Sequence, residues 1–257
     1  MEDGVEKDLV SIIVPVYHAK KYIRETMDCI RNQTYENWEL LLVEDCGNDG
    51  TAEMIMQYRD ENEDDRIRLF LQPGNLGAAA ARNRALDEAR GRFITYIDAD
   101  DLWEPDKLER ECAFLLEKNA AFVFTGYEFA DENGVGMGKV VHVPEMLTYR
   151  QALKNTTIFT STVMFDTQKI SKQQLVMPSV KSEDTALWWR VLKGGVTAFG
   201  LDENLVRYRR GGKSLSSNKI EEIRRIWNLY RKEEKLSVPY SAWNFLFWAF
   251  RAVFRRI

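Results

Sequence analysis

The chain has 257 residues, 45% hydrophobic and 30% charged, with a formal net charge of −4; this is the make-up of a globular protein with a sizeable core, and it gives no global footprint for nucleic acid. Three cysteines, Cys29, Cys46 and Cys112, show no Cys-x-x-Cys spacing, which argues against a disulfide framework or a zinc site and for a reducing cytosol. The acidic start, Met1 to Asp8, lacks the apolar core of a signal peptide, and no segment reaches the ~18–20 apolar residues of a spanning helix.

Leu9 to Val16 reads as a buried strand with Pro15 near its end, where a missing donor does least harm. Lys20 to Arg31 has helical spacing at Ile23, Met27 and Ile30. Trp38 to Val43 is a second buried strand ending in Glu44-Asp45, and Gly50 to Tyr58 is helical. Ile67 to Leu71 is a third strand, followed by the loop Gln72 to Gly77 and an Ala/Arg-rich helix, Ala78 to Ala89. Phe93 to Ile97 is the fourth strand, and it runs directly into Asp98-Ala99-Asp100-Asp101. Alternating strands and helices specify an α/β fold with a largely parallel sheet. Ligands of such sheets bind outside the carboxyl ends of the strands. Three of those ends carry polar chemistry here: Tyr17-His18, Glu44-Asp45 and Asp98-Ala99-Asp100.

The second half is less regular. Pro105 opens a helix through Lys118. Ala121 to Glu128 and Lys139 to Val143 read as strands joined by the turn Asp131 to Gly138, and Thr160 to Phe165 as another strand. Ser182-Glu183-Asp184-Thr185 opens a helix that runs to Lys193 and closes at Gly194-Gly195. Thr197 to Leu201 and Leu205 to Arg209 are short strands, Gly211 to Asn218 is a loop, and Ile220 to Tyr230 and Ser241 to Ile257 are helices. The organisation expected is a tail (1–8), a regular half (9–101) and a less regular half (102–218) of the same domain, and C-terminal helices (219–257).

Asp98 and Asp100 are two residues apart, so continued extension points both to one face. Two hard oxygen ligands on one face suit Mg²⁺ or Mn²⁺, usually shared with phosphate oxygens. The loop after the first strand, Tyr17-His18-Ala19-Lys20, carries neither a dinucleotide glycine fingerprint nor a phosphate-binding P-loop. That counts against dehydrogenases, ATPases and nucleotidyltransferases.

Four segments then occur in order: Ser11 to Tyr17, Val43 to Thr51, Asn75-Leu76-Gly77 with Ala81-Arg82-Asn83, and Asp98 to Asp101. The set closely resembles the inverting, nucleotide-sugar-dependent glycosyltransferases of family 2. Ser182-Glu183-Asp184 with Leu187-Trp188, and Tyr208-Arg209-Arg210 with Ser214 to Ser217, resemble that family's acceptor-side motifs. Within the family, the chain looks most like bacterial enzymes that build capsule, O-antigen or teichuronic-type polysaccharide. The resemblance implies a GT-A fold: a Rossmann-like, mostly parallel sheet flanked by helices, here with a C-terminal amphipathic extension.

It also implies roles. Pro15, Val16 and Tyr17 would line a uracil pocket, with Asp45 accepting from the uracil N–H and Glu44 beside it. Gly77 and Arg82 would meet the nucleotide, Arg82 with a forked donor. Asp98 and Ala99 would hold the ribose and metal region, and Asp98 and Asp100 would ligate Mn²⁺ or Mg²⁺. Asp184 would be the base that takes the acceptor hydroxyl's proton, with Glu183 as fallback and Trp188 and Trp189 as a sugar-stacking wall. The chain departs from the pattern at Glu44 and Cys46, which stand where the family usually has Asp and Gly. It also lacks the late histidine that several relatives offer to the metal, Gly211-Gly212 standing in that region.

On a helical wheel of the tail, Trp243, Leu246, Phe247, Phe250, Val253, Phe254 and Ile257 share one arc; Arg251, Arg255 and Arg256 lie off it, and Phe245 and Trp248 sit nearer the polar side. Aromatics with arginines on a short amphipathic helix fit an interfacial anchor over 241–257. The expected partners are therefore a nucleotide-sugar, a lipid-linked saccharide acceptor and the cytoplasmic face of a membrane. The alternative of a different class is a non-catalytic sugar-nucleotide-binding or scaffold protein with the same fold.

Overall fold

A computed structural model describes residues 6–155, 157–210 and 219–256, the side chains of Lys7, Lys219 and 252–256 excepted. The first half alternates strictly: β1 (Glu6–Val16), α1 (Ile23–Arg31), β2 (Trp38–Glu44), α2 (Thr51–Asn62), β3 (Ile67–Leu71), α3 (Ala78–Glu88) and β4 (Gly91–Tyr96). The second half begins with β5 (Leu102–Trp103), α4 (Lys107–Glu117), β6 (Phe122–Ala130), β7 (Gly136–Val141), β8 (Met146–Leu147) and α5 (Tyr149–Ala152). It continues with β9 (Val163–Asp166), α6 (Glu183–Lys193), β10 (Ala198–Arg209), α7 (Lys219–Asn228) and α8 (Val238–Arg256).

Ten strands form one sheet with the path β3-β2-β1-β4-β9-β6-β10-β5, β7 pairing with β6 and β8 with β10. Pairing is parallel from β3 through β4 and again between β6 and β10. β9 runs antiparallel to both β4 and β6. Successive β1 residues feed opposite cores: Ile13 joins Leu41, Ala81 and Trp188 on one face, while Ile12 and Val14 join Met27, Ile55 and Leu108 on the other. Both faces are covered by helices, which is why the strand reads as an unbroken apolar run. Each of these fully buried aliphatic side chains contributes roughly 1.5–3 kcal/mol.

The chain runs from β1 outward through β2 and β3, then returns to place β4 on the other side of β1. That reversal opens a crevice at the carboxyl ends of β1, β2 and β4. The register pairs Val16 with Glu44 and Ile13 with Tyr96, so Tyr17, Asp45 and Asp98 leave the sheet at one edge.

Several boundaries differ from the sequence reading. β1 starts at Glu6 rather than Leu9; Asp8 has φ of 67°, and the pairing with β4 breaks between Glu6 and Val10. Thr160–Thr162 is a 3₁₀ turn, and only Val163 onward is strand. The two expected late strands are a single strand, β10, with register shifts on either side of Asn204. The expected loop at Gly211 to Asn218, with its Ser214 to Ser217 motif, lies outside the described residues.

The C-terminal helix docks by the opposite face from the one its wheel favours. Ser241, Asn244 and Trp248 are buried, whereas Trp243, Leu246, Phe247 and Phe250 are 53%, 65%, 38% and 63% exposed. Phe245 and Ala249 pack against the core, Phe245 with its ring against Trp227 and Trp248, which places Trp248 and Phe245 inside and corrects their expected position near the polar side. Among the described residues no helix is long and apolar enough to cross a membrane.

Candidate active site

Three turns build the carboxyl edge of the sheet. After β2, Glu44 is buried and accepts hydrogen bonds from the N–H groups of Cys46 (3.0 Å) and Gly47 (2.5 Å), so its carboxylate folds the turn. A Cβ on Gly47 would lie 2.9 Å from the His18 backbone nitrogen, so only glycine lets this turn pack against the end of β1. Asp45 accepts from the N–H groups of Leu76 (2.8 Å) and Gly77 (2.7 Å), tying β2 to the start of α3. Gly77 holds φ of 88°, a conformation that glycine adopts without strain. Pro15 is half-buried, Val16 is buried, and Tyr17 is exposed with its ring edge-on to His18 at 4.1 Å. Both oxygens of Asp45 already hold a backbone donor; each keeps a second lone pair for a further one.

After β4, the chain turns at once: the Asp101 N–H bonds to the Asp98 carbonyl at 3.0 Å. Ala99 is buried, and the Asp98 side chain is half-buried. Ser161 fixes this turn by accepting from the Asp98 N–H (3.1 Å) and donating to the Asp101 carboxylate (2.5 Å). Asp101 also accepts from the Arg209 N–H, and burial pushes its carboxyl well above the usual range. Asp101 is thus a structural acid, while Asp100 faces solvent. The Asp100 carboxyl is pushed up to about 6, first by the protein around its base and then by the neighbouring Asp98 charge.

Arg82, buried on α3, joins this turn to the start of α6. Its guanidinium donates to Asp98 at 2.6 Å and to Glu183 at 2.7 Å. It is a bridge between two carboxylates, not the surface ion pair a lone helical arginine would make. Ser182 enters α6 with φ of 61°, and Glu183 and Asp184 occupy the first turn, where the helix dipole favours acids. Asp184 accepts from Thr160 Oγ1 at 3.1 Å and from the Thr185 N–H at 2.6 Å. The Glu183 carboxyl is raised by burial and by Asp184, against the pull of Arg82.

Two carboxylates at a strand end and further acids at the start of a facing helix thus meet at the carboxyl edge of the sheet, where ligands of α/β folds bind. Residues 11–175 match the model for glycosyl transferase family 2. The chain belongs to that family. It is therefore a glycosyltransferase, and its relatives extend over nearly its whole length. TuaG of Bacillus subtilis (strain 168), a glycosyltransferase named for teichuronic acid biosynthesis, is 41% identical over 252 residues, 98% of either chain. The Escherichia coli UDP-Glc:alpha-D-GlcNAc-diphosphoundecaprenol beta-1,3-glucosyltransferase WfgD is 37% identical over 86% of this chain and 85% of its own. Among solved structures, S. aureus TarS 1–349 in complex with UDP-GlcNAc superposes with a TM-score of 0.68 at 22% identity, covering 87% of this chain and 66% of that one. Mannosyltransferase PcManGT from Pyrobaculum calidifontis, in complex with GDP-Man and Mn²⁺, gives 0.71 at 19% identity, covering 89% and 64%. The shared fold is GT-A.

For this family 2 glycosyltransferase the acceptor side needs correction. Trp188 and Trp189 are 2% and 1% exposed. Trp188 packs among Tyr96, Phe122 and Phe165, and Trp189 stacks on Tyr230 at 5.1 Å. Neither offers a face for stacking a sugar; helical packing accounts for both. Two contributors were missed by sequence reasoning, Thr160 and Ser161. Three hydroxyl residues in a row, Thr160-Ser161-Thr162, are too polar for the interior of a buried strand, and that was the available signal.

The residues present fit a divalent cation. Asp98 and Asp100 flank one alanine, and their mutual repulsion is part of what raises Asp100. Among the described residues no cluster of three or more His, Cys, Asp or Glu could hold a metal by itself. Two carboxylates leave most positions to water and diphosphate oxygens, the usual division of labour for Mg²⁺ beside phosphates.

Proposed function

We propose that this glycosyltransferase is a metal-dependent inverting enzyme that moves a sugar from a UDP-sugar to a hydroxyl of a lipid-linked oligosaccharide in bacterial surface-polysaccharide assembly. The observation that carries the reading is the Arg82 bridge, which brings the Asp98 turn and the Glu183-Asp184 helix start into one site. The acceptor hydroxyl has to fit between the base and the anomeric carbon, at roughly 3 Å from each before reaction, and this bridge ties the two elements that would supply donor and base.

In the proposed reaction the acceptor hydroxyl oxygen attacks the anomeric carbon from the face opposite the diphosphate. The bond from that carbon to the diphosphate oxygen breaks, the electron pair leaves with UDP, and the hydroxyl proton passes to Asp184. Thr160 and the Thr185 N–H hold the Asp184 carboxylate in place. Glu183, engaged by Arg82, is the less available acid. Pro15, Val16 and Tyr17 form the wall for the base, Asp45 offers its remaining lone pairs to the uracil N–H, and Gly77 and Arg82 border the nucleotide. Asp98 and Asp100 would hold Mn²⁺ or Mg²⁺, which when bound supplies charge neutralisation for the departing diphosphate.

The UDP preference draws support from WfgD, whose name specifies UDP-Glc, and from the TarS complex with UDP-GlcNAc. The lipid-linked acceptor draws support from the diphosphoundecaprenol in the WfgD name and from the exposed aromatic arc of α8. That arc would rest on the cytoplasmic face of the cell membrane, consistent with an apolar helix surface that lies in an interface without spanning it.

A thermal-shift screen of UDP, GDP, CDP and dTDP, each with and without Mn²⁺, tests the donor. A ligand at about 100 times its dissociation constant stabilises by roughly 2.7 kcal/mol. The expected result is a UDP shift that needs Mn²⁺ and disappears in Asp100→Ala. A larger shift with another nucleotide, or an equal one without metal, would overturn that part of the reading.

A further inference from the structure

The inference that follows rests on the lipid-linked acceptor proposed above. Such an acceptor has three chemically different parts: a sugar that reacts, an anionic diphosphate and an apolar chain. The molecule offers a separate surface for each, in that order.

A cavity of ≈350 Å³ is lined among others by Lys139, His142, Asn155, Thr157, Phe250 and Arg251. It lies where the end of β7, the segment before the 3₁₀ turn and the last described side chains of α8 converge. Among the described residues no carboxylate forms an ion pair with Lys139, Lys154 or Arg251. Most other cations near the core are paired, as Arg82, Arg92 and Arg209 are. Arg251 donates to the Lys154 carbonyl at 3.3 Å, and the Lys154 ammonium lies 5.2 Å from the centre of the Phe247 ring on the exposed arc of α8. One carboxylate is close by: Asp202, which holds His142 at 3.1 Å. The local balance is still cationic.

Two connections give the cavity a direction. Thr157 forms its wall, and three residues later Thr160 donates to Asp184. Three residues span at most roughly 10 Å of extended chain, close to the length of a sugar with its first phosphate. On the other side, Phe250 at the cavity mouth continues into the exposed arc of Phe247, Leu246 and Trp243.

We propose that this cavity seats the diphosphate of the lipid-linked acceptor, Lys139 and Arg251 holding the anion while the reacting sugar lies toward Asp184 and the lipid chain runs along the aromatic arc of α8. Unpaired cations beside an apolar arc match a diphosphate carrying a prenyl chain; free pyrophosphate would use the cations alone, and a bulk anionic lipid would need no cavity.

Farnesyl diphosphate is a suitable probe. Its binding to the full chain is measured by calorimetry with UDP at saturation, so that the nucleotide site is occupied. The expected result is binding to wild type that weakens roughly tenfold or more in Lys139→Glu and in Arg251→Glu, since each reversal replaces a charge-assisted contact by repulsion. Phe250→Ser should weaken farnesyl diphosphate by several-fold and leave pyrophosphate unaffected. UDP affinity should be unchanged in all three, and Lys139→Gln should show an intermediate loss. If farnesyl diphosphate binds wild type and all variants equally, the cavity assignment fails while the lipid-linked acceptor stands. If it does not bind wild type at all, the cavity assignment fails, and sugar transfer to a lipid-linked saccharide on the same preparation then decides the acceptor reading by itself. Pyrophosphate binding as tightly as farnesyl diphosphate, or full displacement by phosphatidylglycerol vesicles, would also overturn the assignment.

Discussion

In the first half of the chain, β1 lies parallel between β2 and β4, and each of their carboxyl ends delivers one turn to a common edge. In the second half, β9 lies antiparallel between β4 and β6, and the groups that matter arrive from a 3₁₀ turn, a helix start and a helix docked from far along the chain. The first arrangement is set by local repetition of one unit. The second depends on contacts such as Arg82–Glu183 and Thr160–Asp184, which no local pattern encodes. The two halves therefore use polar residues differently. At the ends of β2 and β4, Glu44, Asp45 and Asp101 accept backbone donors and shape the loops, Asp45 keeping a lone pair free on each oxygen. At the start of α6, Asp184 is held by one distant side chain, Thr160, and one neighbouring N–H.

The contrast can be sharpened by mutation. The largest effect is expected at Trp188, whose burial makes it a core residue. Trp188→Ala should cost roughly 3–5 kcal/mol in urea unfolding. A stable variant with only a raised acceptor KM would restore the stacking role. Arg82→Ala should come next, at about 2–3 kcal/mol, below the loss for a fully buried pair because Asp98 and Glu183 both reach solvent. A loss under about 0.5 kcal/mol would mean that the bridge does not hold the two edges together.

A pH-dependent effect should be smaller. Lys107 and Glu111 are an ion pair buried on α4, and burial pushes the Glu111 carboxyl up to about 7 against the pull of Lys107. Its folded value lies above the ordinary 4.5, so its contribution is complete at low pH and is lost as pH rises through about 7. Glu111→Gln should flatten the stability profile between those limits; an unchanged slope would assign it to other groups. The smallest stability change, within roughly 0.5 kcal/mol, is expected for Leu246→Ser on the exposed arc of α8. The same substitution should weaken binding to anionic liposomes, and retained binding would argue against the arc as a membrane surface.

Much of this was legible in the sequence, for physical reasons that differ by region. The parallel strands are covered on both faces, so their apolar runs stand out, and their polar ends mark the edge where ligands bind. The helix from Glu183 to Lys193 was equally clear from its acidic start and its glycines. The role of Glu44 was not, because a turn built by a carboxylate looks like a binding residue until its donors are known. Trp188 and Trp189 were misread because an aromatic pair on a helix reads the same whether it faces a ligand or a core. The tail misled in another way. Trp243, Leu246, Phe247 and Phe250 of its arc are exposed, and Val253, Phe254 and Ile257 lie outside the described side chains, but Trp248 and Asn244 on the other side supply the docking face.

The central claim is that the start of α6 completes the nucleotide site, with Asp184 as the base. The most direct test compares wild type with Asp184→Asn, measuring sugar transfer and UDP affinity on the same preparations. The prediction is a fall in transfer of roughly 10²–10⁴-fold, the usual worth of a positioned base, with UDP affinity unchanged. Transfer at the wild-type rate would remove Asp184 from the mechanism, and the third acid of the site would have to be sought elsewhere.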